Sequence, residues 1–159
     1  MAVVLAAGAA HAADRTSARA FVERLYGHYP IAEHAPIFEA AGKDSASVFD
    51  GPLAALIAED QRLTPDGDAP QLGGDPICDC QDDGGMSFQV SAVKADGPFA
   101  ATATVIRIDP ATTPPERYPI TLDLQKTVGG WRVHDIHSAE TPSLRAFLIR
   151  VDRERMPPP

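Results

Sequence analysis

The chain has 159 residues, 44% hydrophobic and 23% charged, which is the composition of one globular domain with a buried core. Its formal charge of −8 argues against nucleic acid or an anionic membrane as partner, because either needs an excess of Lys and Arg over acids. A cationic partner is compatible with that charge, although solubility alone also accounts for it.

In chain order, Ala2 to Ala10 form a short apolar run, and Ala10, His11, Ala12 fit the small-x-small pattern of a signal-peptidase site. Residues 1–12 are therefore expected to be a signal peptide and 13–159 a single domain, secreted or periplasmic. No Lys or Arg precedes the apolar run, which departs from the usual leader. The run is too short to cross a bilayer, which takes roughly 20 residues, and no other segment is long enough.

From Thr16 to Tyr29, residues Ala18, Phe21, Val22, Leu25 and Tyr29 recur at helical spacing, with Arg19, Glu23 and Arg24 outside the stripe and Pro30 as the stop. Residues 31–47 read as a connection broken by Pro36 and Gly42, with Ile37 and Phe38 docking on the core. A second helix begins at Asp50 as cap with Pro52 in its first turn. Leu53, Leu56 and Ile57 form its buried edge, and Glu59, Asp60 and Arg62 are expected to face water. Residues 64–74 are rich in Pro, Gly and Asp and read as an exposed loop. Asp66, Gly67, Asp68 opens like a calcium loop but lacks the later ligands and closing glutamate.

The segment Asp75 to Asp83 holds both cysteines and joins the helical half to a pleated one. Beyond it, Met86, Phe88, Val90 and Ala92 alternate with polar residues, as do Ile120, Leu122 and Leu124. Ala100 to Ile108 carries small and β-branched residues on both faces, as suits a strand covered on both sides. Trp131 to His137 is the fourth strand, entered through a hairpin at Gly129 and Gly130, and short turns favour an antiparallel meander. A last helix is expected to start at Thr141 as cap and Pro142, with Leu144, Phe147, Leu148 and Val151 as its stripe. The fold class is α+β: N-terminal helices packed on a curved, four-stranded antiparallel meander, with a C-terminal helix.

This order, with Asp82 after the joint, the Gly130, Trp131, Arg132, Val133 sequence and Asp135, resembles the nuclear-transport-factor-two-like (cystatin-like cone) superfamily. More narrowly, Asp75 and Pro76, Gln81 and Asp82, the Trp131 strand and the leucine-bearing end helix resemble a bacterial envelope family of unknown function. The resemblance implies a pocket between helices and curved sheet that some members use for ligands or catalysis. It also implies that the extra C-terminal helix can plug the mouth of that pocket.

Cys78 and Cys80, one residue apart, would lie about 6.6 Å apart at two strand rises. A disulfide places its Cα atoms about 5.5 to 6 Å apart, so a bridge needs a kinked backbone. A bridge, two buried thiols, and a soft-metal or redox site are all open, although two thiols alone do not complete a metal site. Asp75 and Asp82 suit turn amides, whereas Asp79 and Asp83 suit water, and Gln81 with Asp82 is the polar pair for a pocket rim. His134 and His137 fall on opposite strand faces unless a bulge intervenes, which makes them poor chelators of one metal. Asp135 and His137 share a face and could orient a general base, but no nucleophile is tied to them. His28 and His34 carry no pattern, and Trp131 belongs with Val133 in the core.

The candidate pocket or rim residues are thus Gln81, Asp82, Asp135 and His137, with Cys78 and Cys80 as the disulfide candidate. No metal or cofactor motif is present in the sequence. Three functions follow, in this order: a non-catalytic binding module for a small ligand or peptide; an inhibitor or immunity-type protein against a cationic envelope enzyme; and a pocket enzyme of isomerase, dehydratase or cyclase type with Asp135 or Asp82 as base. The polar outer sheet face, with Ser87, Gln89, Ser91, Thr121, Asp123 and Gln125, favours a monomer.

Overall fold

Four strands, β1 (Ser87–Ala95), β2 (Ala100–Asp109), β3 (Glu116–Thr127) and β4 (Gly130–His137), pair in sequential order as one antiparallel sheet in the computed structural model. The structure describes residues 18–29, 45–81 and 84–156. The expected leader at 1–12, the expected connection with His34, Pro36, Ile37 and Phe38, the acids Asp82 and Asp83, and Pro157 to Pro159 lie outside the described residues.

Ahead of the sheet come α1 (18–26), the single turn α2 (Ser45–Val48) and α3 (Gly51–Arg62); α4 (Leu144–Arg155) closes the chain. The architecture is α+β, with the meander open rather than closed into a barrel. Leu148 from the helices and Leu122 and Val133 from the sheet belong to one hydrophobic core, and the partly buried Phe21, Leu56 and Phe88 pack against it. Its fully buried members include Val22, Leu53, Ile77, Val105 and Ile120, and each such side chain contributes about 1.5–3 kcal/mol by leaving water.

Helix α1 buries Ala18, Val22, Leu25 and Tyr26. It ends at residue 26, before the expected Pro30: the Gly27 amide closes the last turn on the Glu23 carbonyl at 2.9 Å. Helix α3 starts as its sequence predicts, Asp50 accepting from the Leu53 amide at 2.9 Å with proline in the first turn. Leu53 and Ile57 are buried on its inner edge, and so is Asp60, against expectation. The spacing 53, 57, 60 places that carboxylate on the apolar stripe, where it is fully enclosed.

Two bulges bend the sheet and change which residues face in. In β1 the register slips between Val90 and Ala92, so Val93 and Ala95 continue the inner row while Ala92, expected inside, is exposed. In β4, Leu124 faces Val133 but Asp123 faces Asp135, leaving His134 as the extra residue. Trp131 and Val133 point inward, Ile136 resumes that row, and Asp135 and His137 face the other side with Asp123. Strand β2 alternates between buried Ala101, Ala103 and Val105 and half-buried neighbours, so it is covered on one face rather than both.

Beside β4, Phe49 adds a short parallel bridge to Val133, and the Asp50 amide donates to the Val133 carbonyl at 2.9 Å. Helix α4 is capped by Ser143 rather than Thr141; its side chain accepts from Ala146 N at 3.1 Å. Pro142 therefore precedes the helix, and its carbonyl faces His137.

Candidate functional site

The loop from Asp75 to Cys80 is anchored in every direction. Its ends are bridged by the Asp75 amide on the Cys80 carbonyl at 2.8 Å and the return bond at 3.3 Å. Ile77 is fully buried in the core, and its carbonyl accepts from the Tyr26 hydroxyl at 2.7 Å. Burial raises the Tyr26 phenol well above its ordinary value, with Asp75 and Asp79 adding to it, so it stays a neutral donor. From the sheet, the Arg107 guanidinium donates to the Cys78 carbonyl at 3.3 Å and to the Asp79 carbonyl. The same side chain pairs with the Asp79 carboxylate at 3.5 Å and lies over the Tyr118 ring. Asp79 is thus ion-paired rather than simply solvated.

Cys78 and Cys80 are joined as a disulfide, with Cα atoms 5.2 Å apart. The kink that such a local bridge requires is at Asp79, whose φ of 52° is the one positive value for a non-glycine among the described residues. Cys78 is fully buried, whereas Cys80 is half-buried.

This loop forms one wall of a cleft of about 430 Å³. Gln71 to Pro76, Asp79, Cys80 and Gln81 line that side; Ile136 and Ser138 from the end of β4, Glu140 and Thr141 from the following turn, and Leu144 and Phe147 of α4 line the other. The space between sheet and helices is filled by the core, so the cleft opens at its edge, with α4 as a wall rather than a plug. A smaller hollow of about 40 Å³ beneath residues 70–76 shares Leu72, Gly74 and Pro76 with it.

Asp75 is the acid with the most distinctive surroundings in the cleft wall. Its Oδ1 accepts from the Ile77 amide at 2.8 Å, and its Oδ2 accepts from the Tyr29 hydroxyl. Tyr29 belongs to an aromatic trio with Tyr26 and Phe88, ring centroids 4.9 to 5.9 Å apart. Burial pushes the Asp75 carboxyl up to about 6, against the pull of the Tyr29 hydroxyl and the Ile77 and Cys78 amides. A carboxyl poised there, in a partly apolar cleft, can take either protonation state near neutrality.

Of the residues singled out in the sequence, Gln81 lines the cleft and Asp82 lies outside the described residues. Asp135 and His137 do not line it. Asp135 instead holds the start of α4: it accepts from the Ser143 hydroxyl at 2.7 Å, the Arg145 amide at 3.0 Å and the Ile136 amide at 2.8 Å. His137 is gripped on both ring nitrogens, by the Pro142 carbonyl at 2.6 Å and the Asp123 carboxylate at 2.9 Å. Partial burial works against its imidazolium, but those acceptors and nearby Asp135 outweigh that and raise its pKa. His134 goes elsewhere, to Asp50 Oδ2. The Ser143 hydroxyl donates to Asp135 rather than to a histidine.

Sequence reasoning missed Asp75 as the perturbed acid, and Glu140, Leu144 and Phe147 as cleft walls. The apolar stripe marks the last two only as core residues. Among the described residues, no group of three or more His, Cys, Asp or Glu is placed to hold a metal ion, and no helix is long and apolar enough to cross a membrane. No protein-family model matches the chain, and no curated protein matches it.

Glycine matters at one position in the wall. A Cβ on Gly74 would sit 2.5 Å from the Cys80 carbonyl oxygen, whereas one on Gly73 meets open space. Gly74→Ala must therefore push the disulfide loop aside and is expected to lose about 1–3 kcal/mol in urea unfolding, as overpacking does. Gly73→Ala should stay within about 0.5 kcal/mol of the parent. Equal losses at both would show that backbone freedom, not the close approach, is what matters.

Proposed function

We propose that this is a non-catalytic binding domain whose cleft takes a small ligand with an apolar body and a cationic or donor-bearing end. The observation that carries the reading is Asp75, an acid with a raised pKa among the residues that line a cleft together with Leu72, Pro76, Ile136, Leu144 and Phe147. An ammonium group there would offset the cost of ionising the buried acid, and the apolar walls would take the rest. The exposed Glu140 on the opposite wall has the same sign and adds to the preference for a cation.

The domain is further proposed to be secreted or periplasmic and of the nuclear-transport-factor-two-like kind. The disulfide suits an oxidising compartment, and helices followed by a bent four-stranded meander suit the cone architecture. A second reading, a pocket enzyme with an acid–base carboxylate, is favoured by the raised pKa of Asp75 rather than by Asp82 or Asp135. It ranks second because both Asp75 oxygens are already engaged, one by the Tyr29 hydroxyl and the other by the Ile77 amide.

The test is a titration of ¹⁵N-labelled protein at neutral pH with benzylamine and with neutral benzyl alcohol. Amide shifts confined to Gly73, Gly74, Cys80, Gln81 and Thr141, larger for the amine, are expected. Shifts elsewhere, or equal responses to the two probes, would sink the proposed chemistry.

A further inference from the structure

The Cys78–Cys80 bridge spans a single intervening residue. It closes too short a loop to constrain the unfolded chain appreciably, so its contribution to holding the fold is small. The loop is secured by other ties: the paired backbone bonds between Asp75 and Cys80, the Tyr26 hydroxyl on Ile77, and Arg107 on the Cys78 and Asp79 carbonyls. Opening the S–S bond would leave those ties in place and the two sulfurs still neighbours.

The two sulfurs also differ. Cys80 lines the cleft, whereas Cys78 is fully enclosed. Around Cys78 Sγ lie two carbonyl oxygens, of Asp75 at 3.5 Å and of Cys80 at 3.7 Å, which can accept from a thiol once one forms. A bridge with one cysteine in a cleft wall, its partner enclosed and a scaffold independent of it is suited to opening and closing.

We propose that the Cys78–Cys80 disulfide is redox-active and exchanges with small thiols that enter the cleft and attack Cys80. The incoming thiol loses its proton, and its thiolate forms a new S–S bond to Cys80 Sγ. The Cys78–Cys80 bond breaks, and its electron pair goes to Cys78 Sγ. That sulfur takes up a proton from water and donates it to the Asp75 carbonyl. A second thiol then attacks the bound thiol's sulfur and releases a symmetrical disulfide, leaving Cys80 as the thiol. In total, two small thiols are oxidised and the protein bridge is reduced to a dithiol. The proposal needs Cys80 to be reachable from the cleft but does not need an amine to bind there.

The experiment equilibrates the folded protein with reduced and oxidised glutathione, quenches with acid, alkylates, and reads masses. The expected result is reversible conversion between bridge and dithiol with an unchanged circular dichroism spectrum, and any trapped mixed disulfide mapped by peptide mass to Cys80. With oxidised glutathione, Cys78→Ser should form a mixed disulfide at Cys80. Cys80→Ser, which leaves only the enclosed thiol, should react about tenfold more slowly or worse, as buried thiols do. A bridge that opens only in urea, a mixed disulfide mapped to Cys78, or equal rates for the two variants would overturn the proposal. Because wild-type protein supplies the first two results, a variant that fails to fold does not block the test. Failure of benzylamine to bind, with exchange intact, would fall on the binding proposal alone.

Discussion

Asp60→Ala is expected to lower stability by about 3 kcal/mol, at the lower end of what breaking a buried ion pair costs. Asp60 is fully enclosed; it accepts from the Gln71 amide at 3.1 Å and the Leu72 amide at 2.8 Å, and pairs with the Arg155 guanidinium. One carboxylate therefore ties α3 to the strap at residues 71–72 and to the end of α4. Removing it strands both amides and leaves Arg155 with Asp152, at 2.9 Å, as its remaining acid. That remaining pair and the partial exposure of Arg155 are the reasons for the lower end of the range.

For a domain of this size the loss corresponds to a melting temperature lowered by about 6–12 °C. Asp60→Asn keeps one acceptor and should fall between parent and alanine variant. Since Gln71 and Leu72 also line the cleft, the amide exchange of these two residues should speed up more than that of the sheet. A change in melting temperature under about 2 °C would mean that the strap is held by packing alone.

That tie shows what the sequence made legible and what it hid. Periodicity was enough to find α3, its Asp50 cap and its proline, because these are local signals with a local cause. The same periodicity put Asp60 on the buried stripe, but an acid is ordinarily read as a solvent-facing residue, and its partners lie 11, 12 and 95 residues away. The bulges were hidden for a different reason: Ser91 and His134 look like any other polar strand residues, yet each shifts everything after it to the other face. Hence Ala92 was expected inside and is not.

In the cleft, Gln81 and Cys80 were readable from their place at the joint between helical and pleated rhythms. The surroundings of Asp75 were not, since Tyr29 is 46 residues earlier. Asp135 was correctly seen to share a face with His137. Its role changed because the turn after β4 brings Ser143 and Arg145, 8 and 10 residues on, back onto it, which strand alternation alone does not encode.

Asp75→Asn should stabilise the protein at pH 7.5 by about 2 kcal/mol and leave it near the parent at pH 4. The parent carboxyl titrates at about 6 in the folded protein against an ordinary 3.8. Between those values the folded state keeps a proton that the unfolded state has released, so stability falls as pH rises through that window and stays lower above it. The full shift corresponds to about 3 kcal/mol, and the partial contact of the residue with water reduces it. An asparagine oxygen can still accept from the Ile77 amide, and the Tyr29 hydroxyl can turn to accept from the side-chain amide.

Urea midpoints of both proteins from pH 4 to 8 check this, because other carboxylates cancel in the difference. If the variant is instead weaker by the same amount at every pH, the hydrogen bonds from Tyr29 and the loop amides outweigh the desolvation of the charge. The binding proposal adds a second, opposite consequence. The same neutral side chain that steadies the fold above pH 6 should abolish the preference for benzylamine over benzyl alcohol, since the cost of ionising Asp75 is what an ammonium group would relieve. A variant that gains stability yet still prefers the amine would shift the cation-attracting role to Glu140 across the cleft.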